Sequence, residues 1–398
     1  MYTNTHSRPR GRDAFEVAII CALSIEADAM ITLFDDNWER EELYEKADGD
    51  TNSYTIGRVE QHYVVLVHMP HMGKVSAASV AANLRSSFPR IRLGLLVGIC
   101  GGVPFIDGGK REIILEDIII STQIVQTDFG RQYPDSFVRM DTLQDSLGRP
   151  NPEIQGFLSR LQGKTAQIEL EKQIQTNLVT ILEAEGFEHS KSPGVHDDKL
   201  LEENYRHKHQ DANACTICAR CLNPGDSVCV KALDLPCTEL GCDASKLVSR
   251  VRIQKTIDQG SSASPCHPVV HFDGVASGDQ VIKSAQHRDC IAKQENIVAF
   301  EMEGAGLWET IPTIVIKGVC DYADSHKNKE WQLYAAATAA ACAKSMLKIW
   351  RPTIRPVQNG RHGEVPVPSP IHQVFSGNFT AGKGIHQGGT YEAGSMNF

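Results

Sequence analysis

Short, continuous apolar runs separated by helical stretches constrain this chain more than any other feature. Val17 to Leu23, Tyr63 to Met69, Leu93 to Ile99 and Ile113 to Gln123 each read as a strand buried on both faces. Between them lie two helical stretches, Ser24 to Leu33 and the Ala-rich Val75 to Phe88. Strands that lack in–out alternation and are interleaved with helices mean a mostly parallel sheet covered on both sides. Ser24 is placed to cap the first helix, with Glu26 and Asp28 in its first turns. The pattern resumes at His271, with strands near Val298 and over Ile314 to Val319. It closes with an Ala-rich helix over Trp331 to Trp350, which Pro352 ends.

The rest of the chain divides around this frame. Residues 1–13 are polar and read as a flexible N-terminus, and residues 14–352 carry the α/β domain. Ile168 to Gly186 reads as an amphipathic helix. An insertion over about residues 187–268 is dominated by Pro, Gly, Asp, Cys and His and has little apolar core of its own. Residues 353–370 read as a linker rich in Pro, Gly and charge. Residues 371–398 form a Gly- and Asn-rich tail with spaced Phe and Tyr. That composition builds no core; it suits either an unstructured extension or a prion-like segment that assembles with its like.

Charge narrows the function. The 398 residues carry a formal net charge of -9 and no long Lys/Arg run, which argues against a nucleic-acid polymer as partner. The most apolar early run is far shorter than the roughly 20 residues a spanning helix needs, and Asp13 and Glu16 precede it, unlike a signal peptide. The expectation is a cytoplasmic protein with no membrane partner. In that compartment a cysteine cluster favours metal over disulfides. Six of the 12 cysteines lie at Cys215, Cys218, Cys221, Cys229, Cys237 and Cys242. The C-x2-C pair Cys215 and Cys218, completed by Cys237 and Cys242, suits a structural zinc, with His207 and His209 as further ligands. Unpaired cysteines are the alternative. Cys21 and Cys320, inside apolar strands, read as small buried hydrophobes.

The groups that carry chemistry stand at the carboxyl ends of strands, where open α/β folds place their sites. Ser277-Gly278-Asp279 follows one apolar stretch, Glu301-Met302-Glu303-Gly304 another, and Asp321 lies just past Ile314 to Val319. Singly, each also reads as a turn residue or a helix-dipole partner.

Together they resemble the purine nucleoside phosphorylase/uridine phosphorylase superfamily. The matching pieces, in order, are AIICALSIEADAM at 18–30, GLLVGICGGVP at 94–104, GVASGDQVI at 274–282, AFEMEGAG at 299–306 and IKGVCDYAD at 316–324. Within it the chain is most similar to 5'-methylthioadenosine/S-adenosylhomocysteine nucleosidases and to nucleosidase-like domains of fungal immune-receptor proteins. The resemblance implies a three-layer α/β/α phosphorylase-like fold with a mixed central sheet, here with a cysteine-rich insertion. It implies that Asp321 is the acid acting at purine N7, that Glu303 accepts from the ribose hydroxyls, and that Glu26 orients and activates water. Such an acid must hold or share a proton near neutral pH, which needs shelter from water. Met302 would pack beside the sugar, Ser277 would help hold the acid or the base, and Phe300 and Phe129 would stack on the purine. Gly101 belongs to the central glycines of the site. No cofactor serves this chemistry. Homodimers or homotrimers are usual, and the tail would offer a further assembly contact.

Hydrolysis is favoured over phosphorolysis. Phosphate sites favour Arg, hydroxyls and backbone donors. Aligned on the glycines, Leu96 stands where the phosphorylases carry Arg, and Ile99 where they carry a hydroxyl. Glu26 would repel phosphate, although Lys74 or Arg288 could restore positive charge. The substrate class is a purine nucleoside or nucleotide: adenosine, inosine, guanosine or ATP. His71, Lys74, His287 and Arg288 would supply a basic rim for a 5' phosphate. The competing readings are a phosphate-dependent phosphorylase and a catalytically silent nucleotide sensor.

Overall fold

In the computed structural model of the protein the described residues are 8–38, 44–223, 225–258 and 267–352. The proposed linker, 353–370, and the tail, 371–398, lie outside them. Within the N-terminal stretch, Arg12–Ala14 form a single 3-10 turn, and the Tyr44 hydroxyl donates to the Pro9 carbonyl.

β1 (Val17–Cys21) leads into α1 (Ser24–Thr32). The short β2 (Asp36–Asn37) pairs with β3 (Ser53–Val59), which turns back as β4 (His62–His68) before α2 (Lys74–Ser87). Next come β5 (Leu93–Gly102), the short β6 (Phe105–Ile106) and β7 (Arg111–Glu112), β8 (Ile118–Gln126), and the hairpin of β9 (Gly130–Gln132) and β10 (Phe137–Arg139). Two helices follow, α3 (Pro152–Leu161) and α4 (Lys164–Leu182). The described residues of the insertion form three short α-helices, α5 (Thr216–Ala219), α6 (Cys237–Leu240) and α7 (Val251–Asp258), and three 3-10 turns. The chain ends its fold with β11 (Val270–Ser277), α8 (Ala285–Glu295), β12 (Ile297–Glu301), α9 (Gly304–Leu307), β13 (Thr313–Asp321) and α10 (Gln332–Ile349).

The central sheet has nine strands in the order β12-β11-β8-β13-β5-β1-β4-β3-β2, and β12 also pairs with β5. That extra pairing closes β5, β13, β8, β11 and β12 into a barrel-like ring, with β1, β4, β3 and β2 extending from it. The sheet is mixed. β1 runs parallel to β4 and β5, and β13 parallel to β5, whereas β13–β8, β12–β5 and β3–β4 are antiparallel. Five of the sheet's nine pairings among the described residues are parallel, so the parallel character read from periodicity holds in part, and the sheet is the mixed one that the resemblance implies. Apolar runs report burial on both faces, not strand direction, and closure reverses the two pairings that seal the ring.

Every residue of β1 and β13 is buried. α10 packs on β5 and β13 with an Ala-rich buried surface, and α1 and α4 pack on α10 in turn. Caps differ from expectation at one end. Asn151 accepts from the Ile154 N–H (2.8 Å) at α3 and Ser284 from His287 (3.3 Å) at α8. Ser24, expected to cap α1, does not, since the carboxylate of Glu26 takes the free N–H groups there. In the insertion Cys218, Ala232 and Leu240 form a small buried cluster apart from the main core. The described residues belong to one compact unit bounded at Pro352, and none of their helices is long and apolar enough to cross a membrane. Leu66, fully buried in β4 at the heart of the core, reports on that packing. Leu66→Ala is expected to cost about 2–5 kcal/mol, read as a lower denaturation midpoint with an unchanged slope.

Candidate active site

β1, β5 and β13 lie side by side and parallel, so their carboxyl ends open onto one rim. Closure adds a fourth end. Gly101 of β5 faces Phe300 of β12 in one pairing and Asp321 of β13 in the other. A cavity of about 250 Å³ sits on this rim and is lined by Glu26, Gly101, Phe300, Met302, Glu303, Lys317 and Asp321, among others. A second cavity of about 270 Å³ adjoins it across Cys320, Asp321 and Lys327.

Glu26 is 1% exposed and tightly held. One carboxylate oxygen accepts from the Ala22 and Leu23 N–H groups and the other from Ile99, all at 2.9 Å. The Ala22 and Leu23 donors follow β1 and the Ile99 donor lies within β5, so the carboxylate fills an anion nest built by two neighbouring strands. The approach requires glycine opposite: a Cβ on Gly98 would stand 2.2 Å from a Glu26 carboxylate oxygen. Burial pushes the Glu26 carboxyl above its ordinary value, with Lys317 and the backbone donors opposing.

Glu303 follows β12. Its carboxylate accepts from the buried Lys317 ammonium at 3.1 Å and from the Gly73 N–H at 3.3 Å. Glu301, two residues before it at the end of β12, accepts from the backbone of Glu303 (2.9 Å) and Gly304 (2.9 and 3.1 Å) and so shapes the loop that presents Glu303. Burial raises the Glu301 carboxyl, against the pull of Lys317. Burial alone would draw the Lys317 ammonium down, but Glu303, Glu26 and Glu301 together hold it above its ordinary value.

Asp321 ends β13. One oxygen accepts from the Ala323 N–H (2.8 Å), and the other lies 3.2 Å from the Lys327 ammonium. A Cβ on Gly101 would stand 2.9 Å from the first oxygen, so this glycine too leaves room for a carboxylate.

Of the residues singled out from sequence, the cavity gathers Glu26, Glu303, Asp321, Met302, Phe300 and Gly101. Ser277 is fully buried behind it, and its hydroxyl accepts from the Ala305 N–H at 2.9 Å, so it holds the Glu303 loop rather than the acid. Phe129 is 44% exposed beside the β9–β10 hairpin and lines neither cavity. The expected basic rim is not assembled. Lys74 pairs with Asp128 and Asp279, Arg288 pairs with Asp289 and donates to the Tyr322 carbonyl, and His71 and His287 point to solvent. Sequence reasoning passed over Lys317 and Lys327. The signal for Lys317 was present: a lone ammonium inside an unbroken apolar strand must have a buried partner.

The cysteines divide differently from the sequence expectation. Cys215 and Cys218 group with Cys229, whereas Cys237 and Cys242 group with His207 and His326. The single set of Cys215, Cys218, Cys237 and Cys242 is thereby corrected, because close spacing in sequence pairs Cys215 with Cys218 and Cys237 with Cys242 but does not say which pairs meet. His209 joins neither group. Each group brings its ligand atoms within 4.8 Å of one another, close enough to share a structural metal.

The ion cluster sets a stability test. Lys317→Met leaves Glu26, Glu303 and Glu301 without their cation, a loss of about 3–5 kcal/mol at neutral pH. Carboxyls held above their ordinary value favour the folded state while protonated, and this advantage fades as pH rises. The Tm gap between Lys317→Met and the parent should therefore narrow as pH falls through the range where Glu26 and Glu301 take up protons.

Comparison with known proteins follows the same lines. The phosphorylase superfamily profile matches residues 16–208. A nucleotide-binding leucine-rich repeat (NLR)-like protein of Hyaloscypha variabilis is 30% identical over 360 residues, which is 89% of this chain. The chain spans 31% of that relative's length. Among solved structures, the MTA/SAH nucleosidase of Streptococcus pneumoniae, in complex with 8-aminoadenine, is 17% identical with a TM-score of 0.47, covering 84% of this chain and 99% of that one. Futalosine hydrolase of Helicobacter pylori is 16% identical with a TM-score of 0.46, covering 85% and 99%. Residues 16–208, which carry β1, α1 and β5 and with them Glu26 and Gly101, match the phosphorylase superfamily profile.

Proposed function

We propose that this domain hydrolyses the N-glycosidic bond of a purine nucleoside or nucleotide, releasing free base and sugar. The observation that carries the reading is the Glu26 carboxylate seated in the nest of N–H groups that Ala22 and Leu23, after β1, and Ile99, within β5, supply. An anion site already filled by a carboxylate disfavours phosphate and suits a water held beside a base. The described residues lining the cavity include no Arg, Ser or Thr, the groups that phosphate recognition favours.

In this reading Asp321 holds the proton on purine N7 as the C1'–N9 bond breaks, and the bonding pair leaves with the base. Glu303 accepts from the ribose hydroxyls, and those bonds strengthen as the sugar becomes oxocarbenium-like. Water adds to C1' and gives its proton to Glu26. Lys317 offsets the charge of Glu26 and Glu303, so both carboxylates can face one cationic sugar without repelling each other out of place. Met302 and Phe300 wall the sugar and base. No metal takes part in these steps, and zinc at the cysteine clusters would be structural. Adenosine, inosine, guanosine and ATP all remain within the class. The exposed Phe129, Tyr133, Phe137 and Val138 on and beside the β9–β10 hairpin support a contact with a second copy of the chain. Likeness to the NLR-like relative supports a place in immune-receptor proteins, and free thiols suit the cytoplasm.

Purified protein should release base and free sugar, or sugar phosphate from a nucleotide, without added phosphate, resolved by chromatography. Sugar 1-phosphate formed only with phosphate would overturn the reading in favour of a phosphorylase, and no turnover of any purine substrate would favour the sensor. Asp321→Asn and Glu26→Gln should each cut kcat by about 100- to 10,000-fold. Because Glu26 must be ionised to accept a proton, kcat/KM should fall on the acid side at a pH above the ordinary carboxylate range. Residual activity of Glu26→Gln should lack that limb.

A further inference from the structure

We propose that His207, Cys237, Cys242 and His326 bind one zinc ion that ties the cysteine-rich insertion to the loop following Asp321. The geometry is that of a tetrahedral Cys2His2 site. Zinc–nitrogen bonds of about 2.0–2.1 Å and zinc–sulfur bonds of about 2.3 Å set ligand separations near about 3.3 Å for N···N and about 3.6 Å for N···S. Here the two Nδ1 atoms are 3.2 Å apart. Cys237 Sγ lies 3.7 Å from His207 Nδ1 and 3.5 Å from His326 Nδ1, and Cys242 Sγ lies 3.9 Å from each.

The outer partners argue for the same ion. His207 Nε2 donates to the Leu235 carbonyl at 2.9 Å, and His326 Nε2 donates to the Tyr205 carbonyl at 3.0 Å. A carbonyl only accepts, so both imidazoles carry their proton on Nε2 and turn the Nδ1 lone pair inward. Two lone pairs at that separation, beside two sulfurs, call for a cation between them. Tyr205 further stacks on the His326 ring, with centroids 5.7 Å apart, and its hydroxyl accepts from the Asp243 N–H. Four protein ligands leave no open position, so the ion is structural.

The consequence reaches the rim. His326 follows Asp321 by five residues, and Lys327, the ion partner of Asp321, is the next residue. Ala323 between them is held at a φ of 50°. An insertion with almost no core of its own thus gains an anchor, and the loop that carries Lys327 is pinned at both ends. Cys237, Cys242 and His326 also form part of the wall of the second cavity.

Metal analysis of the full chain tests this. In a Cys215→Ser/Cys229→Ser background, which removes the other cluster, about one zinc per chain should remain. Adding His326→Ala or Cys237→Ser should remove it, and Cys237→His should restore it. Cobalt exchanged into the same background should show the visible bands of a tetrahedral site with thiolate ligands, which does not depend on the mutants' folding. Zinc retained by His326→Ala and Cys237→Ser, or a Cys237–Cys242 disulfide found by mass spectrometry, would overturn the proposal. Activity is a separate readout that rests on the hydrolase reading. His326→Ala should lower kcat on the order of 100-fold, whereas Asp321→Asn should lose activity and keep its zinc.

Discussion

The site depends on one buried ammonium. Lys317 stands in the middle of β13, walled by apolar neighbours, and three carboxylates converge on it. Glu26 comes from α1 and Glu301 and Glu303 from the end of β12 and the residues after it, and none could be buried beside the others without a cation. Removing water from such a cluster is costly, and the gain comes only when geometry and hydrogen bonds are nearly complete. Here they are: Glu26 is satisfied by three backbone N–H groups, Glu301 by the Glu303 loop, and Glu303 by Lys317 and Gly73. A cluster so arranged cannot rearrange cheaply, and that rigidity is what preorganised electrostatic chemistry requires.

Sheet closure is what makes convergence possible. In an open parallel sheet β12 would lie far from β5. The antiparallel β12–β5 contact instead puts Phe300 against Gly101, with Asp321 on the opposite side of the same glycine. Small residues on β5 then set the working distances, because Gly98 admits Glu26 and Gly101 admits Asp321. Aromatic wall, proposed acid and proposed base are therefore spaced by a single strand whose side chains stay out of the way.

The insertion joins this arrangement through polar contacts rather than through a core. Arg250 donates to the Tyr322 hydroxyl and the Pro104 carbonyl, and the Tyr322 hydroxyl in turn donates to Asp198. Tyr322 lies just beyond the strand that ends in Asp321. The residues after the proposed acid are thus gripped by an insertion that lacks the apolar area to hold itself, and the proposed zinc site supplies the missing anchor at the other end of the same loop.

The sequence alone determined the positions of the strands, because apolar runs such as Val17 to Leu23 and Ile314 to Val319 have few other ways to be buried. It also determined which carboxylates stand at strand ends, so Glu26, Glu303 and Asp321 were legible together with Phe300, Met302 and Gly101. Only the tertiary structure decided what meets what. Periodicity does not carry strand direction, so neither the β12–β5 closure nor the antiparallel β13–β8 pair was readable. Spacing does not carry distant pairing, so Cys237 and Cys242 met His207 and His326 rather than Cys215 and Cys218. Ser277 and Phe129 looked alike as candidates until folding buried one behind the site and left the other on the surface. Lys317 was visible as an anomaly in an apolar strand, but its partners come from residues 14 and 291 positions away, and only the fold brings them to one ammonium.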